Sequence, residues 1–195
     1  MKLRTYHKVL LKISVLVFII GYAVYSSDWF KCSYIYPFDY QPIIYECAAE
    51  HDLNPFLVAG VIKVESSFDP DACSPKGALG LMQIMPDTGQ WVAERLKTPV
   101  YLEKNTTNST ILKDPETNIR LGTWYLDFLR QEFSGNEVLY LAAYNGGIGN
   151  VRQWMTQYGW TNDFTDIDQI PFGETRRYVR KVLYYKEQYQ EIYGQ

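Results

Sequence analysis

Apolar and polar residues along this chain recur mostly at helical spacing, and the first stretch is apolar on every face. Val9 to Tyr25, VLLKISVLVFIIGYAVY, runs for seventeen residues with one charge, Lys12. That length is at the short end of a bilayer-spanning helix. Lys2, Arg4 and Lys8 precede it and polar residues follow, the charge order of a segment held with its N-terminus inside. We read residues 1–30 as an uncleaved membrane anchor, an N-terminal transmembrane helix. A cleaved signal peptide is the alternative, since AVYSS offers a weak cleavage site after Ser26. Residues 31–42 read as a connector in which Pro37 and Pro42 discourage a continuous helix.

Residues 43–195 predict a compact, mainly α-helical bundle with one small irregular or β-containing insertion. A first helix is expected over about Ile43 to His51. A second has Asn54 as its cap and Pro55 in its first turn, and runs to about Ser66. The loop from Ser67 to Leu79 carries two prolines and a glycine and has room for a short hairpin. A helix is expected from about Asp87, then a polar surface excursion over 99–115. Asp114 and Pro115 repeat the cap-and-proline start. Ile119, Gly122, Leu126, Leu129 and Phe133 follow at three- and four-residue spacing, which places them on one buried face. Gly135 and Asn136 break that pattern, EVLYLAAYN resumes it until GGIG, and GETRRYVRKVLYYKEQYQEIY forms a last basic, aromatic helix.

Composition narrows the partners. Residues 1–30 hold four Lys/Arg and one acid, so the remaining 15 Lys/Arg face 21 Asp/Glu and the body carries a formal charge of −6. Nucleic-acid binding depends on neutralising phosphates with cations, so a body this acidic argues against it. Aromatic residues make up 16% of the chain, led by 17 Tyr, which suits a groove that stacks on sugars or bases, while for any single Tyr a place in the core or on the surface is an equal reading. Three widely spaced cysteines, Cys32, Cys47 and Cys73, do not form a zinc motif, and we expect buried free thiols. His7 and His51 share no ligand spacing and support neither a metal site nor a Ser–His–Asp triad. We expect no metal and no cofactor. GGIGNV follows a helical segment instead of a strand, so it reads as an interhelix turn and not a dinucleotide loop.

One residue stands out against this background. Val58, Val61, Ile62 and Glu65 occupy adjacent positions of one helical face, so a carboxylate continues an apolar stripe. Partial burial and the negative end of the helix dipole both disfavour its charge and raise its pKa. A carboxyl that keeps its proton near neutral pH can serve as a general acid. Taken alone, Glu65 is equally a glutamate turned outward at a frayed helix end.

Its surroundings decide between these. ESSFDPDACSPKGALGLMQIMPDTG, from Glu65, resembles the signature of the soluble lytic transglycosylase (SLT) catalytic domain, a lysozyme-like family acting on bacterial peptidoglycan. AAYNGG at Ala142–Gly147 and IPFGETRRYV at Ile170–Val179 resemble it too, in the family order. The resemblance implies an α+β lysozyme-like fold in the bacterial cell envelope, with the catalytic domain outside the cytoplasm and a peptidoglycan glycan strand as its partner. It implies that Glu65 is the single catalytic acid/base and that Ser66 shapes the turn after it. Ser74, Gln83, Met85, Tyr144, Asn145, Glu174 and Tyr178 are then substrate-binding or cleft-lining. Core packing remains an equal reading for Gln83, Met85 and Tyr178, and a dipole-stabilised helix start for Glu174. The family pattern departs at Leu79, where a polar or basic residue is common; Leu79 is expected to alter the charge of the cleft or its peptide-stem preference without touching the acid.

Ordinary glycosidases set two carboxylates across the scissile bond. Here Asp69 and Asp71 fall in a loop and only Glu65 has a catalytic context. The family reading resolves this by letting one glutamate act twice, cleaving between N-acetylmuramic acid and N-acetylglucosamine with a 1,6-anhydromuramoyl product. The alternatives are a hydrolytic muramidase on the same fold and a catalytically inactive wall-binding protein.

Overall fold

The computed structural model describes residues 2–97 and 108–194. They fall into two compact units, Met1–Phe38 and Asp39–Gln195.

In the first unit, α1 runs from Lys2 to Ser26, followed by a short turn of helix, α2 (Asp28–Phe30), and a π-helical turn, Lys31–Ile35. The helical turns stop at Ile35, just before the first proline, Pro37. The expected transmembrane helix is not shown, because among the described residues no helix is long and apolar enough to cross a membrane. Apolar side chains nevertheless stand exposed all round α1, from Leu16 through Ile20, with Phe18 75% accessible.

The second unit is helical: α3 (Gln41–Glu50), α4 (Pro55–Glu65), α5 (Pro86–Leu96), α6 (Asn108–Lys113), α7 (Pro115–Glu132), α8 (Glu137–Gly146), α9 (Ile148–Tyr158) and α10 (Gly173–Tyr193). Starts follow local chemistry. The Asn54 side chain accepts the Phe56 N–H at 2.8 Å, Asp114 accepts Thr117 N–H at 2.9 Å, and Asn136 accepts Leu139 N–H at 2.9 Å. The stripe on α7 is buried as its spacing predicts, Ile119, Leu126, Leu129 and Phe133 all being 1% accessible or less.

Helix α4 lies in the middle of the core, with Leu57 to Ile62 buried, and α10 packs along it. Gly60 makes that contact close: a Cβ there would lie 2.9 Å from the Val182 carbonyl oxygen and 3.1 Å from the Lys186 nitrogen. Lys186 in turn pairs with Glu137 at 2.8 Å, tying α10 to α8.

The segment after Glu65 is irregular as expected, yet it forms no sheet among the described residues. Two isolated antiparallel bridges join Cys73 to Leu79 and Leu79 to Ile84. Left-handed backbone at Gly77, Gly80 and Gln83 (φ 88°, 74° and 47°) interrupts the extended run before a ladder can grow. The mainly α expectation holds, and only the β part of the insertion is corrected, to two isolated bridges among the described residues. Of the excursion over 99–115, residues 99–107 lie outside the described residues; the rest contains α6, whose Ile111 and Leu112 are buried. GGIG ends α8 but does not end the helical run, since Gly147 (φ 87°) turns the chain directly into α9.

Candidate active site

Glu65 is the last residue of α4 and is half-buried. The chain leaves the helix at Ser66 (φ −133°) and reverses through left-handed Ser67 and Phe68. Ser66 fixes this exit: its hydroxyl donates to the Leu81 carbonyl at 2.8 Å and to Ile62 at 3.2 Å, drawing the insertion back against the end of α4. Burial pushes the Glu65 carboxyl up to about 7. A hydrogen-bonding interaction with Tyr178 pulls the other way, and the negative charge of Glu174 adds to the rise. Tyr178 and Glu174 occupy α10, one turn apart, so the helix packed on α4 also brings the two groups that tune its acid. The Tyr178 hydroxyl is buried and spends itself on no hydrogen bond of full geometry among the described residues.

The insertion is held from below by Asn118 of α7, which is fully buried. Its Oδ1 accepts the Met82 N–H at 2.7 Å while its Nδ2 donates to Leu79 and Leu112 carbonyls at 2.9 and 2.6 Å. Gly80 allows this approach, for any Cβ there would sit 2.2 Å from the Leu112 oxygen. Gln83 uses its amide nitrogen within the insertion, donating to Gly80 at 2.9 Å and Ala72 at 3.2 Å. From the other side, the Tyr144 hydroxyl donates to the Met82 carbonyl at 2.9 Å. Tyr144 is buried enough, and near enough to Glu65, for its phenol to be raised well above the ordinary value, desolvation being the first cause and the Glu65 charge the second. Asn145 is oriented by Thr175, whose hydroxyl donates to its Oδ1 at 2.9 Å.

Two adjoining hollows meet at Asn145 and Gly146. One, of about 300 Å³, is lined by Gln83, Met85, Thr88, Tyr125 and Tyr144. The other, of about 510 Å³, is lined by Lys76, Asn150, Phe172 and Glu174. The Glu65 carboxyl interacts electrostatically with Tyr144, which lines the first hollow, and with Glu174, which lines the second.

The structure thus brings together Glu65, Gln83, Met85, Tyr144, Asn145, Glu174 and Tyr178. Ser74 stands apart: its hydroxyl accepts the Ala78 N–H at 2.9 Å and closes a turn of the insertion. Leu79 is buried and faces neither hollow, so its expected effect on cleft charge is corrected. The expectation of buried thiols holds for Cys47 but not for exposed Cys73. Sequence reasoning did not reach Lys76, Tyr125, Asn150 or Phe172. For Tyr125 a signal existed, since Trp124, Tyr125 and Phe128 cluster on α7 off its buried stripe.

A helical domain with one proton-retaining glutamate beside an open trough defines a lysozyme-like class of protein. Residues 42–167 match the family model described as "Transglycosylase SLT domain", and the chain belongs to that family. It is 35% identical over 161 residues to the soluble lytic murein transglycosylase of Salmonella typhimurium, spanning 82% of this chain and 24% of that protein. It is 32% identical to the membrane-bound lytic murein transglycosylase C of Yersinia pestis, covering 73% of this chain and 44% of that one. Among solved structures, the 70 kDa soluble lytic transglycosylase of Escherichia coli superposes with a TM-score of 0.72 at 33% identity, over 82% of this chain and 25% of that one. A complex of the 70 kDa enzyme with bulgecin A gives a TM-score of 0.73 at 34% identity, over 82% and 25%. The chain spans about a quarter of the soluble relatives it matches.

Proposed function

We propose that this chain is a peptidoglycan lytic transglycosylase that cleaves the β-1,4 bond between N-acetylmuramic acid and N-acetylglucosamine. The single observation that carries this reading is the Glu65 carboxyl, held by burial at about 7 and in electrostatic reach of Tyr144 and Glu174, which line the two adjoining hollows. At neutral pH such a group is populated in both protonation states, as an acid that later acts as a base requires. Protonated Glu65 gives its proton to the glycosidic oxygen, and the C1–O bond breaks. The Glu65 carboxylate then takes the proton of the muramoyl C6 hydroxyl, whose oxygen forms the new bond to C1. The leaving strand departs with a free hydroxyl, the 1,6-anhydro ring closes, and no water is consumed. Attack from within the same sugar gains from proximity, so a second carboxylate is not needed as nucleophile.

In this reading Gln83, Met85, Tyr144 and Asn145 line one side of the bound strand and Glu174 the other. Tyr178 tunes the acid, and Ser74 supports the insertion from within its turn. The domain 43–195 works in the cell envelope, outside the cytoplasm. Residues 1–30 tether it there, a role supported by the apolar side chains exposed around α1, which water does not favour. The similarity to a membrane-bound relative supports the same placement.

Digestion of purified sacculi tests the activity. Products one water lighter than reducing muropeptides are expected by mass spectrometry, and Glu65→Gln is expected to yield none while still binding glycan. Reducing-end products in their place would establish a muramidase.

A further inference from the structure

The first unit, Met1–Phe38, keeps its rings exposed. A helix completes a turn in about 3.6 residues, so Leu16, Val17, Phe18 and Ile19, consecutive and each more than half accessible, expose apolar surface around the whole circumference of α1. At the end of α1 the Ser27 hydroxyl accepts the Phe30 N–H at 3.3 Å and the Ser27 carbonyl accepts the Lys31 N–H at 3.0 Å, which carries the chain through a bend into α2. The bend gathers four rings. Phe30 lies 5.8 Å from Tyr25 and 5.1 Å from Tyr34, and Tyr34 meets Trp29 edge-on at 5.9 Å, centroid to centroid. Clustering does not hide them: Tyr25, Trp29 and Tyr34 remain 59%, 65% and 65% accessible. An apolar patch so open marks an interaction surface.

We propose that Tyr25, Trp29, Phe30 and Tyr34 form an interfacial collar, a surface that docks into the headgroup layer of a phospholipid bilayer and completes the tether begun by α1. The proposal rests on the tether in the proposed function and extends it. Among the described residues no helix is long and apolar enough to cross a membrane, so α1 needs further affinity from its neighbours in the chain. Tyrosine and tryptophan supply it at the headgroup level, where the body of the ring meets the acyl chains and the hydroxyl or indole N–H meets headgroups and water. The shape of the exposed surface selects lipid over protein. A protein partner, or a second copy of this chain, covers one stripe of a helix and leaves the others wet, whereas apolar surface on every side calls for a solvent that surrounds it. Asp28 and Lys31, the charged residues of the same run, cancel formally, so the contact is one of rings and not of charge.

The test uses the full chain and vesicles of phosphatidylcholine brominated either near the headgroup or near the end of the acyl chain. Flotation reads the tether, and tryptophan emission reads the collar. The parent is expected to float with the vesicles and to be quenched more by the shallow bromines than by the deep ones, and Trp29→Phe is expected to lose that excess. Trp29→Ser combined with Tyr34→Ser is expected to float less than the parent while its second unit unfolds at the parent's temperature. A parent that floats but is quenched no more than Trp29→Phe, or is quenched more by the deep bromines, would overturn the collar and leave the tether standing. A parent that does not float would overturn both.

Discussion

The Tyr144 hydroxyl donates to the Met82 carbonyl and not to the Glu65 carboxylate. One bond therefore joins α8 to the insertion immediately before Gln83, and the tyrosine sets the width of the trough more directly than the charge of the acid. Tyr144→Phe is expected to cost about 1 kcal/mol of stability in denaturant unfolding, the net worth of one hydrogen bond. Its kcat on sacculi is expected to fall while the pH at which activity declines stays within a few tenths of the parent's. A large displacement of that pH would mean that the phenol acts on Glu65 itself.

Glu65 links activity and stability to pH with definite signs. Its carboxyl is raised from 4.5 to about 7 in the folded chain, so the folded state binds a proton that the unfolded state has already lost between these values. Stability from this group is fully present below 4.5, declines as pH rises toward 7, and is lost above. Glu65→Gln is expected to be more stable than the parent at pH 8 by up to about 3 kcal/mol, the equivalent of the shift, and to match it at pH 4. Thermal unfolding at both pH values measures the difference.

The two residues of α10 act on that carboxyl in opposite directions. Tyr178 favours the carboxylate and Glu174 disfavours it. Tyr178→Phe is expected to move the alkaline limb of the kcat/KM profile to higher pH, and Glu174→Gln to move it to lower pH. Shifts of the same sign in both variants would contradict the arrangement.

Asn118 satisfies three backbone groups of the insertion and α6 at once. Asn118→Ala takes the partner from the Met82 N–H and the Leu112 carbonyl, each worth about 1–3 kcal/mol, while the Leu79 carbonyl keeps the Ile84 N–H at 3.0 Å. Unfolding at least 2 kcal/mol easier than in the parent is expected by denaturant titration, roughly the lower end of that sum. Residual activity at low temperature is expected to fall further still, because Gln83 and the Tyr144 contact hang from the same segment.

Much of the helical scaffold was legible because capping and periodicity are local. Asn54 with Pro55 and Asp114 with Pro115 announce α4 and α7, and the stripe from Ile119 to Phe133 is buried as written. The raised pKa of Glu65 was legible in direction, since an acid on an apolar stripe is desolvated. What was not legible is long-range: Asn118 reaching Met82, and Tyr178 and Glu174 reaching Glu65, depend on which helix packs on which. The short hairpin failed for a local reason that composition understates. Gln83 adopts left-handed backbone without being glycine, as Ser67 and Phe68 do, so the insertion reverses at positions that composition does not mark.

Gly60 lets α4 and α10 touch backbone to backbone, with no side chain between them to compress or rearrange. A joint of that kind has no slack. Glu65 and the two residues that tune its carboxyl are therefore carried as one rigid block, and whatever the hollows must yield to a ligand falls to the opposite wall, where hydrogen bonds from Tyr144, Ser66 and Asn118 hold a segment without regular structure.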